Sequence, residues 1–284
     1  MTRFASLAAC GVEAGPRVEF ALKQHLPLAH MPGNVIFDCA LQDAVFPGGR
    51  RFRPMLALLA SELVRADDDD ALAAAVAAEY LHCAALIFDD LPAMDDARER
   101  RGRPCLHLRC GEGVAITVAL ALMNASYQVA HIVASRASRD RALRELTECI
   151  AAQIAGQAAD LAGDGSSRRW ESSGKTSALI RLALTLGPLL SGADAGDVAA
   201  LSRFGQTLGE AYQLVDDSRD VEEDRRLPRR GRRATFAMER GCEAARERAE
   251  RLTAEARRDL LARFGDLPSA HRLCEFANLS DVHG

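Results

Sequence analysis

The sequence predicts an all-α protein, a single large bundle of about ten or more helices packed around a central cavity. Alanine and leucine dominate, aromatic residues make up only 5% of the 284 residues, and strand-like alternation is hard to find. Apolar positions recur instead at helical spacing. No Pro/Gly/Ser-rich linker or shift of composition divides the chain, so residues 1–284 read as one domain despite their number.

Helices are expected over Arg17 to Ala29, Val35 to Ala44, Arg53 to Arg65, Asp70 to Asp90 and Gly113 to Arg136. The same pattern continues over Arg139 to Leu161, Thr176 to Leu190, Ala195 to Val221, Ala234 to Phe264 and Pro268 to Ser280. Breakers mark the stops: Pro47-Gly48-Gly49, Gly102-Arg103-Pro104, Gly163 to Gly165, Gly187-Pro188 and the loop from Pro228 to Gly231. Asp67 to Asp70 open an alanine-rich helix, where acidic side chains suit the positive end of the dipole and cap free amides. The arginines and glutamates interleaved from Glu243 to Arg258 read as an exposed, self-pairing helix face.

The formal net charge is −4 and the pI about 6.0, which gives no general attraction to nucleic acid. Lys23 and Lys175 are the only lysines, so a lysine at a motif stands out. Eight scattered cysteines form no C-x-x-C pair and no zinc spacing, as expected for reduced thiols in a cytoplasmic protein. Leu7-Ala8-Ala9-Cys10 resembles a lipoprotein cleavage box, but the apolar stretch before it is too short for a signal peptide. From Gly113 to Ser135 there is no ionised side chain, a length that would span a bilayer by hydropathy alone. Asn124, Gln128 and His131 recur on one side of that helix and argue for a buried bundle helix with a polar strip toward a cavity rather than a transmembrane segment.

Chemistry concentrates in two acidic clusters, Asp89-Asp90 with Asp95 and Asp216-Asp217 with Asp220, each ending a long apolar helix and each followed by arginines. Two carboxylates about 5 Å apart repel by roughly 3 kcal/mol at an effective dielectric near 20. Hard divalent cations are the economical compensation, and the whole suits a polyphosphate. Asp216 and Asp220 share a helix face. Asp89 and Asp95 are separated by Pro92, so the local bend decides whether both point inward. Gly48-Gly49-Arg50-Arg51-Phe52-Arg53-Pro54 and Arg100-Arg101-Gly102-Arg103-Pro104 each bring guanidiniums to the mouth of a helix, and their forks match phosphate oxygens. His82 lies two turns before Asp89 and so on the same side of its helix.

These elements, in this order, resemble the trans-isoprenyl diphosphate synthases (the polyprenyl synthetase family), closest to short-chain bacterial members that make geranylgeranyl diphosphate. The likeness runs from about Ala40 to Glu239 and includes Lys175-Thr176 and Tyr212-Gln213 between the clusters. It implies the isoprenoid synthase fold, a homodimer, and a site for three Mg²⁺ ions. Asp89, Asp95 and Asp216 match direct ligands, and Asp90, Asp217 and Asp220 the supporting carboxylates. Arg100 and Lys175 would bind the allylic diphosphate, and Arg50, Arg53, His82 and Arg101 the diphosphate of isopentenyl diphosphate. Thr176 and Gln213 would place oxygen dipoles near the cation, while Gln157 and Asp160 match a further element that a simple packing pair explains nearly as well. Ala84 and Ala85, one turn before Asp89, would flank the growing tail; where relatives stop at fifteen carbons with an aromatic, these alanines favour a C20 product.

Departures from the family pattern are Arg50 for lysine, Ala97 and Arg98 for aspartates, Leu120 for a Gly-Asp pair, and Ser218 and Arg219 for aliphatics. In the loop from Glu222 to Arg233 the usual Gly-Lys-Pro is missing, with Arg230 or Arg233 as substitutes. They keep open a weakly active or inactive regulatory subunit of another prenyl synthase, or a synthase of C15 or C25 products. A class I terpene cyclase fits less well, because it has no use for Arg50, Arg53 and His82.

Overall fold

A computed structural model describes residues 4–28, 34–162, 174–226 and 235–277; at residues 4–13, 136, 220 and 222–226 it describes the backbone alone. Its elements are α1 (Phe4–Gln24), α2 (Val35–Val45), α3 (Phe52–Leu63), α4 (Asp68–Asp90), a hairpin of β1 (Glu99–Arg100) and β2 (Arg103–Pro104), and α5 (Leu106–Cys110). There follow α6 (Glu112–Val133), α7 (Arg136–Ala162), α8 (Lys175–Leu190), α9 (Ala195–Arg226), α10 (Phe236–Arg240), α11 (Cys242–Phe264) and α12 (Pro268–Phe276).

Most boundaries follow local chemistry. α1 stops at Gln24, short of the expected Ala29, because Pro27 biases Leu26 away from helical backbone. The helix expected from Ala234 to Phe264 is two helices, α10 and α11, broken at Gly241, whose φ of 93° suits glycine alone. Where a plain loop was expected after Arg100, the chain forms the hairpin and then α5. Asp67 occupies the N-cap of α4 without a side-chain capping bond, so the acidic run acts through the dipole, and Asp68 pairs with Arg17 at 2.8 Å.

The bundle is organised on α4 and α8. Every residue of α8 from Ser177 to Leu190 except Arg181 is buried, and α4 buries an almost unbroken run from Ala73 to Leu81. One apolar cluster joins α4 and α8 to α1, α2, α6 and α7; a second joins them to α3, α9, α11 and α12. Small residues let these helices approach closely. A Cβ on Gly187 would fall 2.0 Å from Ser61 Oγ, and one on Gly209 of α9 would fall 2.4 Å from the Ser177 Cα of α8. The close approach at Gly209 sets where α9 delivers its next turn, Gln213 and Asp217.

α4 and α6 are each long and apolar enough to cross a membrane, but 72% of the α4 window is buried in the bundle against 44% for α6. The polar strip of α6 runs opposite to expectation. Asn124, Gln128 and His131 are exposed, together with Ile116, Leu120 and Ile132, while Ala115, Val118, Leu122 and Val129 face the core.

Candidate active site

Three helix ends meet at the site. α4 ends at Asp90 because Leu91, before Pro92, takes extended backbone (ψ 150°). The chain then doubles back: the Asp95 N–H donates to the Asp89 carbonyl at 2.9 Å, and the Asp96 N–H donates to the Leu91 carbonyl at 3.1 Å. This turn settles the question raised by Pro92 by returning Asp95 to the neighbourhood of Asp89. Burial raises the pKa of the Asp89 carboxyl; Lys175 opposes the shift and Asp95 adds to it. Asp90 is buried and ion-paired, accepting from Arg100 Nε at 2.7 Å and lying 2.5 Å from Nη2.

Lys175 and Thr176 start α8 and join the two clusters. Lys175 Nζ donates to Gln157 Oε1 at 2.6 Å, pairs with Asp160 at 2.8 Å and stands 3.7 Å from Asp89. Gln157 and Asp160 therefore orient the lysine rather than forming a passive packing pair. Thr176 Oγ1 donates to Gln213 Oε1 at 3.0 Å, and Gln213 Nε2 donates to Asp217 Oδ1 at 2.8 Å. Consecutive residues of α8 thus touch the first cluster through Asp89 and the second through Gln213. Asp216 lies on the adjacent turn, where its charge helps raise the Tyr212 hydroxyl to about 12 after burial, the larger cause. Asp220 lies on α9, with its side chain outside the described residues; Arg230 and Arg233 lie outside them altogether.

Among the described residues no three His, Cys, Asp or Glu side chains already gather as a ligand set. The donor chemistry nevertheless fits a hard divalent cation. Asp89, Asp95, Asp216 and Asp217 offer carboxylate oxygens only, and the burial and like charge that raise the Asp89 pKa are offset when a cation sits beside it.

A second cluster is cationic. His82 is held neutral, its pKa well below the ordinary value, first by burial and then by Arg53, Arg101, Arg100 and Arg51. Burial also lowers the pKa of Arg53, whose Nε has no hydrogen-bond partner among the described residues. Arg101 takes a left-handed conformation (φ 55°), and its guanidinium lies over Gly49, where a Cβ would come 3.1 Å from Cζ. Arg50 precedes the same loop turn. Arg53, Arg100, Arg101 and His82 are therefore neighbours, Arg50 acts on Tyr212, and Arg51 turns its guanidinium into the protein toward Glu79.

Beside the first acidic cluster and Lys175 opens an apolar cavity of about 350 Å³. Ala84 and Ala85 line it as expected, with Asp89 and Lys175 at its mouth. Sequence reasoning missed Leu81, Met123, Ile150 and Ile154, which supply the opposing and lower walls from α4, α6 and α7. Leu81 was legible, being one further turn down from Ala85, but the α6 and α7 residues carry no sign of which neighbour they face. The cavity is bounded by α4, α6, α7 and the start of α8.

An all-helical bundle with an acidic cluster and an oriented lysine on an apolar cavity, and a basic cluster around His82 on the same helix, fits a transferase that handles diphosphates with apolar tails. The family model described as Polyprenyl synthetase matches residues 35–231, and the chain belongs to that family. It is 35% identical over 247 residues to geranylgeranyl pyrophosphate synthase 12, chloroplastic, of Arabidopsis thaliana, covering 78% of this chain and 69% of that one. Geranylgeranyl pyrophosphate synthase 10, mitochondrial, of the same plant is 33% identical over 276 residues, covering 88% and 78%. The crystal structure of a geranyltransferase from Legionella pneumophila superposes with a TM-score of 0.80 at 26% identity, covering 98% of this chain and 99% of that one.

Proposed function

We infer that the protein is a prenyltransferase that condenses isopentenyl diphosphate with dimethylallyl, geranyl or farnesyl diphosphate to give all-trans geranylgeranyl diphosphate. The observation that carries this reading is the convergence of both acidic clusters on Lys175 and Thr176 at the mouth of the apolar cavity.

Lys175 and Arg100 would grip the allylic diphosphate, with the tail descending past Ala85. Mg²⁺, three ions held by Asp89, Asp95 and Asp216 with Asp90, Asp217 and Asp220 in support, would supply the charge that stabilises the departing diphosphate. Arg50, Arg53, Arg101 and His82 would hold isopentenyl diphosphate with its double bond toward the allylic carbon. Thr176 donates its hydrogen to Gln213, leaving its oxygen lone pairs available to a carbocation. Leu81, Phe88 and Met123 would exclude water that would otherwise quench it. The proton released on forming the new double bond would pass to the departed diphosphate.

Incubating the purified protein with labelled isopentenyl diphosphate and each allylic primer, then measuring chain length, tests the assignment. A C20 product is expected. Ionisation of a primer without incorporation would overturn it, as would inactivity alone coupled with stimulation of a second synthase.

We also propose a homodimer formed through α6. Its outward face carries Ile116, Leu120 and Ile132, and Glu112 in the first turn is the one acidic side chain of the helix, so two copies could meet over most of its length without like-charge repulsion. Leu120→Arg should give a monomer by light scattering, and an unchanged mass would exclude this face. Cytoplasmic residence is supported by seven described cysteines standing as free thiols.

A further inference from the structure

Arg51 belongs by sequence to the basic cluster but offers nothing to a ligand. Each of its three nitrogens is engaged: Nε donates to Glu19 Oε1 at 2.7 Å, Nη1 to Glu79 Oε1 at 2.5 Å, and Nη2 to the Val45 carbonyl at 2.9 Å and Glu19 Oε2 at 3.2 Å. The guanidinium is buried, and its face covers the Phe46 ring at 5.5 Å. One side chain thereby ties α1, α2 and α4 together.

The backbone is shaped around that anchor. Arg51 is left-handed (φ 53°, ψ 38°) at the N-cap of α3, a conformation that non-glycine residues keep only when the surroundings impose it. A Cβ on Gly48 would lie 1.9 Å from Arg51 Cζ, so the loop must pass the guanidinium with no side chain there. Arg50 precedes this pinned residue, and Arg53 lies in the first turn of the helix that it starts. Glu79 is one turn before His82 on α4 and is the carboxylate whose charge offsets the burial of Arg53.

We propose that Arg51 is a positioning residue for the isopentenyl diphosphate subsite, its anchorage to Glu19, Glu79 and the Val45 carbonyl fixing the backbone path that presents Arg50 and Arg53. The proposal rests on the activity inferred above, and it assigns Arg51 a role in one of the two substrate sites only. Lysine in its place keeps the charge but cannot bridge three acceptors in a plane.

Arg51→Lys should weaken calorimetric binding of isopentenyl diphosphate, and raise its KM, by about tenfold or more, with the KM for geranyl diphosphate within about twofold of wild type. Glu19→Gln retains Arg51 and the buried Glu79 pair and alters the partly exposed partner, so it keeps the test open if Arg51→Lys does not fold. A rise of about threefold in the same KM alone is expected for it. Equal changes for both substrates, or a lowered melting temperature with both KM values unchanged, would overturn the proposal. Wild-type protein that binds isopentenyl diphosphate without consuming it would refute the assigned activity, and the calorimetric comparison would still decide the role of Arg51. Wild-type protein that does not bind it would refute both.

Discussion

Lys175 is satisfied before any substrate arrives, held between Gln157 and Asp160 with Asp89 beyond, whereas Arg53 stands close to His82 with a buried Nε that has no hydrogen-bond partner among the described residues. At the lysine end, carboxylates outnumber cations, and an anion can settle there only if further positive charge comes with it. At the arginine end, burial and then the surrounding guanidiniums keep an imidazole neutral, and an anion alone would ease the repulsion among the cations. Under the proposed activity a cleft with this division would recognise two diphosphates by different means, one entering with metal and leaving its carbon, the other entering bare and held still.

Chelation is the sharpest way to break that comparison. Removing divalent metal should abolish turnover and allylic diphosphate binding, yet leave isopentenyl diphosphate binding within about threefold by calorimetry. Metal dependence at both ends would erase the distinction. Asp216→Asn keeps size and removes charge, and should lower kcat by about 10²–10³-fold, on the scale of losing one preorganised stabiliser of developing charge. At the other end, Arg53→Met should act on KM for isopentenyl diphosphate, raising it by about 10–100-fold, because a charged hydrogen bond contributes about 1.5–3 kcal/mol. Its kcat should change far less, and a loss confined to kcat would place Arg53 with the leaving group.

The two ends also differ in how far the sequence disclosed them. Asp89, Asp90, Asp95, Asp216 and Asp217 announce themselves by type and spacing, and the helix period joins Asp216 to Asp220, whose side chain lies outside the described residues. What joins them does not: Gln213 reaches Thr176 only because Gly209 lets α9 press on α8, a tertiary contact with no local signature. The basic loop shows the opposite failing. Its arginines were easy to see and hard to tell apart, since nothing in Gly48 to Pro54 distinguishes the buried Arg51 from Arg50 and Arg53; that depends on Glu19 and Glu79, 32 and 28 residues away. Most of the long helices were legible because apolar period and breakers are local, whereas the break at Gly241 and the short hairpin and α5 were not. The outward turn of Asn124, Gln128 and His131 was not, because an uncharged helix leaves its solvent side unmarked.

Product length probes the apolar space below the lysine end. Ala85→Phe adds a ring to the cavity wall one turn below Asp89, where an extending tail must pass, and should shift the main product from C20 toward C15 while leaving KM values within about threefold. The opposite wall makes the control. Met123→Ala widens the lower cavity from α6 without approaching either diphosphate, and should lengthen the product. If both variants are active and keep the wild-type distribution, the cavity does not measure the tail.

The smallest effect expected is one of stability, and it isolates the arginine end without any substrate. In the unfolded chain His82 takes up a proton near its ordinary pKa of 6.5, while in the folded protein burial and the surrounding guanidiniums keep it neutral to well below that value. Protonation therefore favours the unfolded chain. The stability linked to a neutral His82 is complete above about pH 6.5 and is lost progressively as pH falls toward the folded-state pKa. His82→Gln cannot take the proton, so its melting temperature should decline less than that of wild type between about pH 7.5 and pH 5, whatever the substitution does to the absolute value. Inorganic diphosphate should narrow the gap between the two proteins by adding negative charge beside Arg53 and Arg101, letting His82 accept its proton in the folded state. Parallel pH profiles, with and without diphosphate, would mean that the arginines around His82 are already neutralised, and the contrast between the two ends of the cleft would fall with them.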